Sequence, residues 1–214
     1  MQDSTVRSLD KDSLRTGVSA LTEMDPDLGQ VVNELGHPSL WSRESGFPTL
    51  IHIILEQQVS LASAKSAFDK LNDAAEDELT PQTFLSFSDS DLKEFGFSRQ
   101  KAKYGRELSQ ALASNKLSLD TLHKLDDADA RNTLMSIKGI GPWTANIYLL
   151  MALRRPDVWP SGDLAVKKAI EEIKNLDETP NNEQASEIAI QWKPWRSVAT
   201  MILWHHYLNG AKRS

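Results

Sequence analysis

The segment from Leu134 to Tyr148 constrains the fold most, because it has the pattern of a helix, a tight turn and a second helix. Gly139 and Gly141 flank Ile140, and glycine suits a backbone that needs a positive φ or a close partner. Ile140 can anchor the turn in a core. Pro at position 142 fits the start of the second helix, where a missing N–H costs nothing. The amides at such a helix start can bind a phosphate without a basic side chain. An ordinary helix–glycine turn–helix in a core also explains the segment when it is taken alone.

Four separated motifs occur in order along the chain. They are Ile54-Leu-Glu-Gln-Gln-Val-Ser60, Lys138-Gly-Ile-Gly-Pro-Trp-Thr-Ala145, Gly162-Asp-Leu-Ala-Val166 and Trp192-Lys-Pro-Trp-Arg-Ser197. A glycine hairpin followed by a Gly/Pro-containing loop and an aspartate resembles the helix-hairpin-helix DNA glycosylases. The motifs are most similar to the alkylation-repair branch of that superfamily, the 3-methyladenine DNA glycosylase II type. This resemblance extends from about Pro48 to Gly210.

The apolar periodicity is helical throughout and no alternating strand pattern occurs, which predicts an all-α fold. The resemblance implies a two-lobed helix-hairpin-helix glycosylase fold with the site in the cleft. A helical bundle over 48–153 would carry the hairpin at about 126–153, and the end segments 1–47 and 154–214 would form the second lobe. We expect the first dozen residues, which are polar and charged, to form a loose tail.

The composition limits cofactors and location. With no cysteine, the chain has no disulfide, no thiolate metal site and no iron–sulfur cluster of the kind that some relatives carry. No apolar run is long enough to cross a membrane, and the N-terminus lacks a signal-peptide pattern. We therefore expect a cytoplasmic protein, nucleoid-associated in a bacterium or nuclear in a eukaryote. The net charge of −6 counts against a nucleic-acid partner, although a grip through backbone amides needs fewer cations.

Asp163 is the catalytic residue that the resemblance implies. Hydrolysis of an N-glycosidic bond builds positive charge on the sugar. A carboxylate stabilises this charge and can orient or deprotonate a water. Asp163 also precedes a helical run, so it is a good N-cap for that helix. The two roles are compatible, because a helix N-terminus stabilises a negative charge.

Position 143 decides the reaction type. Related glycosylases that also cut the strand have a lysine two residues after the second glycine, where it forms a Schiff base with the sugar. This chain has Trp143 there, which predicts a monofunctional enzyme without lyase activity. The resemblance implies a monomer that removes alkylated purines, such as 3-methyladenine and 7-methylguanine, from double-stranded DNA in base excision repair. Lys138 precedes the first glycine, where a phosphate contact is favoured over covalent chemistry.

The resemblance also implies a base pocket and a surface for the DNA backbone. Aromatic faces stack on a flipped base and attract a cationic one. The predicted pocket residues are Trp143, Trp204, Ile147, Tyr148 and Trp159, and the predicted backbone contacts are Lys138, Gly139, Ile140, Gly141 and Thr144. We expect the remaining tryptophans, Trp41, Trp192 and Trp195, to lie in the core.

The resemblance implies that Gln58, together with the next residue Val59, is the wedge that fills the gap left by a flipped base. A helix cap with solvated glutamines explains the same residues. The hairpin is further expected to hold a structural Na⁺ or K⁺ through the main-chain carbonyls of Met135, Ile137 and Ile140. No other cofactor is expected, because the histidines form no recognisable ligand set.

Two other functions stay open from the sequence. A non-catalytic helix-hairpin-helix module would keep the hairpin and bind DNA without chemistry, but Asp163 and the pocket tryptophans argue against it. A glycosylase for oxidised or mismatched bases is the other alternative. Trp143 and the absence of cysteine argue against that one.

Overall fold

The computed structural model describes residues 8–210, which form α-helices and no β-strand. In chain order the helices are α1 (Lys11–Met24), α2 (Pro26–Leu35), α3 (Phe47–Glu56), α4 (Leu61–Ala74), α5 (Pro81–Ser86), α6 (Asp89–Phe95), α7 (Arg99–Ala113), α8 (Asp127–Met135), α9 (Pro142–Met151), α10 (Leu164–Ile173), α11 (Asn182–Ile190) and α12 (Arg196–Gly210). A 3-10 helix, Leu119–Lys124, lies between α7 and α8. The predicted all-α fold is confirmed. Within this part of the chain, no helix has both the length and the hydrophobicity that a bilayer crossing requires.

The chain divides into two compact units. Residues 43–152 form one of them, here called the hairpin unit. The other, here called the terminal unit, combines the described residues up to 42 with those from 153 onward. We propose that these units correspond to the bundle and the second lobe of the predicted fold.

The hairpin unit is built around α3. The apolar residues of α3 have almost no exposed surface, and the helix packs against α4, α7 and α9. Helix α9 is buried along its length from Thr144 to Met151, and it also packs against α8. The turn after α3 and the turn before α9 therefore belong to one packed unit.

The terminal unit is built around α12, which is buried from Ser197 to Trp204 and packs against α1, α2 and α10. A buried polar cluster joins three parts of this unit. Asp25, the N-cap of α2, accepts hydrogen bonds from Lys174 Nζ at 2.7 Å and from Trp192 Nε1 at 2.8 Å. Burial raises the pKa of the Asp25 carboxyl, but these hydrogen bonds outweigh burial and hold the pKa below its ordinary value.

Helix α1 corrects the prediction of a loose tail over the first dozen residues. Leu9 is buried, and Asp10 caps α1 by accepting the N–H groups of Asp12 and Ser13. The helix packs closely enough that a Cβ added at Gly17 would lie 2.8 Å from a ring carbon of Trp195. Residues 1–7 of the predicted tail lie outside the described residues.

Candidate functional site

The two glycines of the hairpin turn serve different purposes. Gly139 has φ +97°, and a Cβ there would lie 2.1 Å from Cγ of Tyr104, so the fold itself requires glycine. Gly141 has φ −89°, and nothing lies within 4 Å of an added Cβ. Because packing does not require glycine at position 141, its open face leaves room for the close approach of another molecule's backbone.

The hairpin turn presents main-chain donors. The N–H groups of Gly139 and Gly141 donate to no other residue within 8–210. Ile140 is buried as predicted, and its N–H donates to Ile137 O at 3.0 Å, which closes the turn. Pro142 then starts α9, whose N-terminal dipole favours an anion. With the exposed side chain of Lys138 beside it, this turn can bind a phosphate.

The predicted cation site stays a prediction. Of the three residues assigned to it, Ile137 and Ile140 are buried and Met135 is exposed, and the Ile137 carbonyl already accepts the Ile140 N–H. Among the described residues, no group of three or more histidine, aspartate or glutamate side chains could hold a metal ion.

The turn after α3, Gln57 to Ser60, is here called the wedge turn. Gln58 is exposed and has φ +56°, a left-handed conformation that is uncommon for a residue other than glycine. Val59 is also exposed, and Ser60 caps α4 by accepting the Ser63 N–H. The wedge role of Gln58 and Val59 stays a prediction, and Ser60 has the helix-cap role of the alternative interpretation.

The helix-cap alternative treats both glutamines as solvated, but only Gln58 is exposed, and the side chain of Gln57 is bonded within the hairpin unit. Its Nε2 donates to Gly139 O at 3.0 Å and to Thr144 Oγ1 at 2.9 Å. The buried Thr144 side chain is therefore engaged within the protein, and a contact between Thr144 and DNA would use its main-chain N–H.

Asp163 lies at the N-terminus of α10 in the terminal unit and is 8% exposed. Its Oδ1 accepts the Val166 N–H at 3.0 Å, which confirms the N-cap role, and the Trp204 indole N–H at 3.3 Å. Gly162, with φ +89°, turns the chain immediately before it. Two donors from different helices therefore fix the orientation of this carboxylate.

The aromatic neighbour of Trp204 is Trp41, with ring centroids 5.3 Å apart and planes tilted by 47°. From the sequence, Trp41 was expected to lie in the core with Trp192 and Trp195. Trp192 is fully buried, whereas Trp41 and Trp195 keep some exposed surface. Trp41 lies in the irregular segment after α2, so no periodicity could have indicated its contact with Trp204.

The other predicted pocket residues are mostly enclosed. Tyr148 has no exposed surface, its hydroxyl accepts the Gly46 N–H at 3.0 Å, and burial raises its pKa to about 12. Ile147 is equally buried, and Trp159 packs against Trp192 with centroids 5.7 Å apart. In this conformation Tyr148 supports the packing of α9 and presents no face to a ligand. Trp143, at the start of α9, is partly exposed.

The sequence is similar to a known protein family and to named relatives. Residues 51–195 match the family model described as HhH-GPD superfamily base excision DNA repair protein. The chain is 31% identical over 169 residues to a Bacillus subtilis protein named DNA-3-methyladenine glycosylase, covering 74% of this chain and 56% of that protein. The chain thus spans just over half the length of this relative.

Two solved structures are similar to the whole fold. A DNA-3-methyladenine glycosidase from Bacillus halodurans has a TM-score of 0.77 at 26% identity, with 96% of this chain and 94% of that chain covered. A Schizosaccharomyces pombe 3-methyladenine DNA glycosylase in complex with abasic DNA has a TM-score of 0.80, covering 90% of this chain and 95% of that chain. Its identity to this chain is 22%, so this likeness concerns the fold alone.

Proposed function

The chain belongs to the HhH-GPD superfamily of base excision DNA repair proteins, and we propose that it is a monofunctional DNA glycosylase for alkylated purines. The observation that carries this proposal is the carboxylate of Asp163, held by the N–H groups of Val166 and Trp204. The names of the similar Bacillus proteins support 3-methyladenine and related purines as the substrate class.

In the proposed reaction a water attacks C1′ of the sugar while the bond from C1′ to the base nitrogen breaks. The bonding electron pair leaves with the base, so an N-alkylated cationic purine departs as a neutral molecule. Asp163 stabilises the positive charge on the sugar and accepts the proton that the water loses. Because two donors already orient the carboxylate, little reorganisation is needed during the reaction.

We assign DNA binding to the two turns of the hairpin unit. The N–H groups of Gly139 and Gly141, with Lys138, would bind a backbone phosphate. Gln58 and Val59 would enter the duplex at the flipped base. Phosphate binding by main-chain N–H groups requires few basic side chains, so a chain with a net charge of −6 could still bind DNA in this way. We propose double-stranded DNA as the partner and a monomer as the active form.

Trp143 supports the absence of lyase activity, because no amine stands at this position to attack the sugar. The expected product is an intact strand with an abasic site, which breaks only after alkali treatment. Borohydride added during the reaction should trap no covalent enzyme–DNA adduct. Efficient trapping would instead assign a lyase step, with Lys138 as the first amine to replace.

The function itself is tested with randomly methylated duplex DNA. We expect the protein to release 3-methyladenine and 7-methylguanine, identified by chromatography of the free bases. Binding of the same DNA without base release would favour the non-catalytic module. Release from DNA that carries oxidised bases, but not from methylated DNA, would favour the other glycosylase class.

A further inference from the structure

One side chain connects the wedge turn to the hairpin turn. The Gln57 amide donates to Gly139 O at 3.0 Å and to Thr144 Oγ1 at 2.9 Å. An amide nitrogen carries two hydrogens, so it can donate both bonds at the same time. Gly139 lies in the hairpin turn and Thr144 in the first turn of α9, so Gln57 contacts the hairpin on both sides of Gly141.

The end of α3 is held by a second residue as well. Lys101 of α7 donates through Nζ to Leu55 O at 2.6 Å, and burial lowers the pKa of this lysine. Gln57 is the C-cap of α3, with its N–H donating to Ile54 O at 3.3 Å. Contacts from α7 and from the hairpin therefore fix the last turn of α3 immediately before the exposed Gln58.

Gln58 needs such support because of its backbone. A left-handed conformation at a residue other than glycine costs on the order of 1–3 kcal/mol and persists only when the surrounding structure enforces it. With φ +56°, Gln58 has this conformation, and its own side chain is exposed. The contacts next to Gln58 that can enforce it are the two hydrogen bonds of its neighbour Gln57 and, two residues further back, the bond from Lys101 to Leu55 O.

We propose that Gln57 is a positioning residue that fixes Gln58 relative to the phosphate-binding hairpin. This inference rests on the proposed function, because it assumes that the hairpin binds DNA and that Gln58 enters it. When a base pair is opened, the duplex pushes back on the wedge. The hydrogen bonds of Gln57 connect the wedge turn to the hairpin turn that binds the DNA backbone, so they hold Gln58 in place against this force.

The role is tested with DNA that reports wedge insertion without any catalysis. A duplex carries a stable abasic-site analogue, with 2-aminopurine as the base opposite it. Unstacking of the 2-aminopurine raises its fluorescence when the wedge enters. For Gln57→Ala and Gln58→Ala we expect most of the fluorescence rise to be lost at saturating protein. Gln82→Ala, an exposed glutamine of α5 in the same unit, is the matched control and should give the full rise.

Single-turnover excision of 7-methylguanine gives the second readout. We expect Gln57→Ala to slow release from a paired lesion by about tenfold, the scale of two lost hydrogen bonds. Release of the same lesion from a single-nucleotide bulge should fall by less than about twofold, because little pairing has to be broken there. The double variant Gln57→Ala/Gln58→Ala should be no slower than Gln58→Ala alone, since both changes act through one wedge.

A full fluorescence rise in folded Gln57→Ala would overturn the inference, as would equal, additive losses on both substrates. If Gln57→Ala fails to fold, Thr144→Val replaces it, because this change removes one acceptor and keeps the side-chain shape. It should give a partial loss on the paired substrate alone, and an unchanged rate with a full fluorescence rise would contradict the proposal. Absence of base release by the wild type would contradict the proposed function, while the fluorescence still tests Gln57.

Discussion

The indole N–H of Trp204 donates to Oδ1 of Asp163 at 3.3 Å. The last helix of the described chain, α12, thereby orients the carboxylate that caps α10. Trp204 also contacts Trp41, whose ring centroid lies 5.3 Å from its own. The candidate catalytic residue therefore lies next to a pair of aromatic rings within one unit, of which Trp204 is buried and Trp41 is half-buried.

Asp163→Asn should lower base excision by at least about a hundredfold, the scale of losing one preorganised electrostatic stabiliser. Asparagine keeps the shape and still caps a helix, so the fold should persist. Excision is measured in single turnover, and binding to an abasic-site analogue should fall much less. Asp10→Asn, the same change at the N-cap of α1, is the control and should be fully active. Near-wild-type excision by the Asp163 variant would remove the catalytic assignment.

The hairpin glycines should respond differently to alanine. Gly139→Ala adds a Cβ 2.1 Å from Tyr104 at a φ of +97°, so we expect a loss of about 2–4 kcal/mol in the free energy of unfolding. Gly141→Ala meets nothing within 4 Å and has an ordinary φ, so stability should stay within about 0.5 kcal/mol.

Gly141→Ala should nevertheless weaken duplex binding by about tenfold, because its methyl group keeps a phosphate away from the main-chain donors. Chemical denaturation measures the first effect, and titration of a labelled duplex measures the second. If Gly141→Ala binds duplex as tightly as the wild type, the open face of that glycine is not the phosphate contact.

Helix boundaries were predictable where the determinant is local. An N-cap depends on a few consecutive residues, so a short polar side chain before an apolar run is enough to predict it. Helices start in this way after Asp25, Thr80, Ser88, Ser98 and Asp126. Helix α1 was missed although its signals are local as well, since Asp10 caps it and Leu14, Val18 and Leu21 are spaced for one buried face. Its packing depends on the close approach of Gly17 to Trp195, and these two residues are far apart in the sequence.

The residues of the candidate site also differ in how far the sequence could predict them. Asp163 could be identified because a motif and a cap coincide at one position. The contacts of Gln57 with the hairpin and of Trp41 with Trp204 join residues from turns or irregular segments. Such contacts leave no period in the sequence, so only the folded chain shows them. The burial of Tyr148 could not be predicted either, because a sequence motif does not distinguish a buried tyrosine from an exposed one.

The buried Asp25 gives a prediction about pH. Asp25→Asn should lower the free energy of unfolding by about 2–3 kcal/mol near neutral pH, because Lys174 loses the buried one of its two carboxylate partners and keeps only the less buried Asp27. The folded-state pKa of Asp25 lies below its ordinary value, since hydrogen bonds from Lys174 and Trp192 outweigh the effect of burial. The contribution of a carboxyl with a depressed pKa is present above its unfolded pKa of about 4 and is lost as the pH falls through the folded pKa.

The stability difference between wild type and Asp25→Asn should therefore shrink as the pH is lowered below about 4. Denaturant unfolding at neutral, mildly acidic and strongly acidic pH measures it. Asp177→Asn changes an exposed aspartate in the same unit and should alter stability little at any pH. A difference that grows on acidification would show that the ion pair is not the cause.

Substrate choice follows from the surroundings of Trp204. A neutral purine leaves poorly unless it is protonated, and the two histidines that follow Trp204 are engaged elsewhere, His205 with Leu35 O and His206 with Glu172. A purine alkylated at N3 or N7 is already cationic, and an indole face attracts it by about 0.5–2 kcal/mol. We expect 7-methylguanine to be released far faster than hypoxanthine from matched duplexes in single turnover.

Trp204→Ala should slow release of the cationic base by about tenfold, the upper range of one such contact, while duplex binding through the hairpin persists. Trp204→Phe keeps a ring but loses the N–H to Asp163, so it separates the aromatic contribution from the hydrogen bond. If hypoxanthine is released as fast as 7-methylguanine, the protein supplies a proton to the leaving base, and the cation-selective mechanism is wrong.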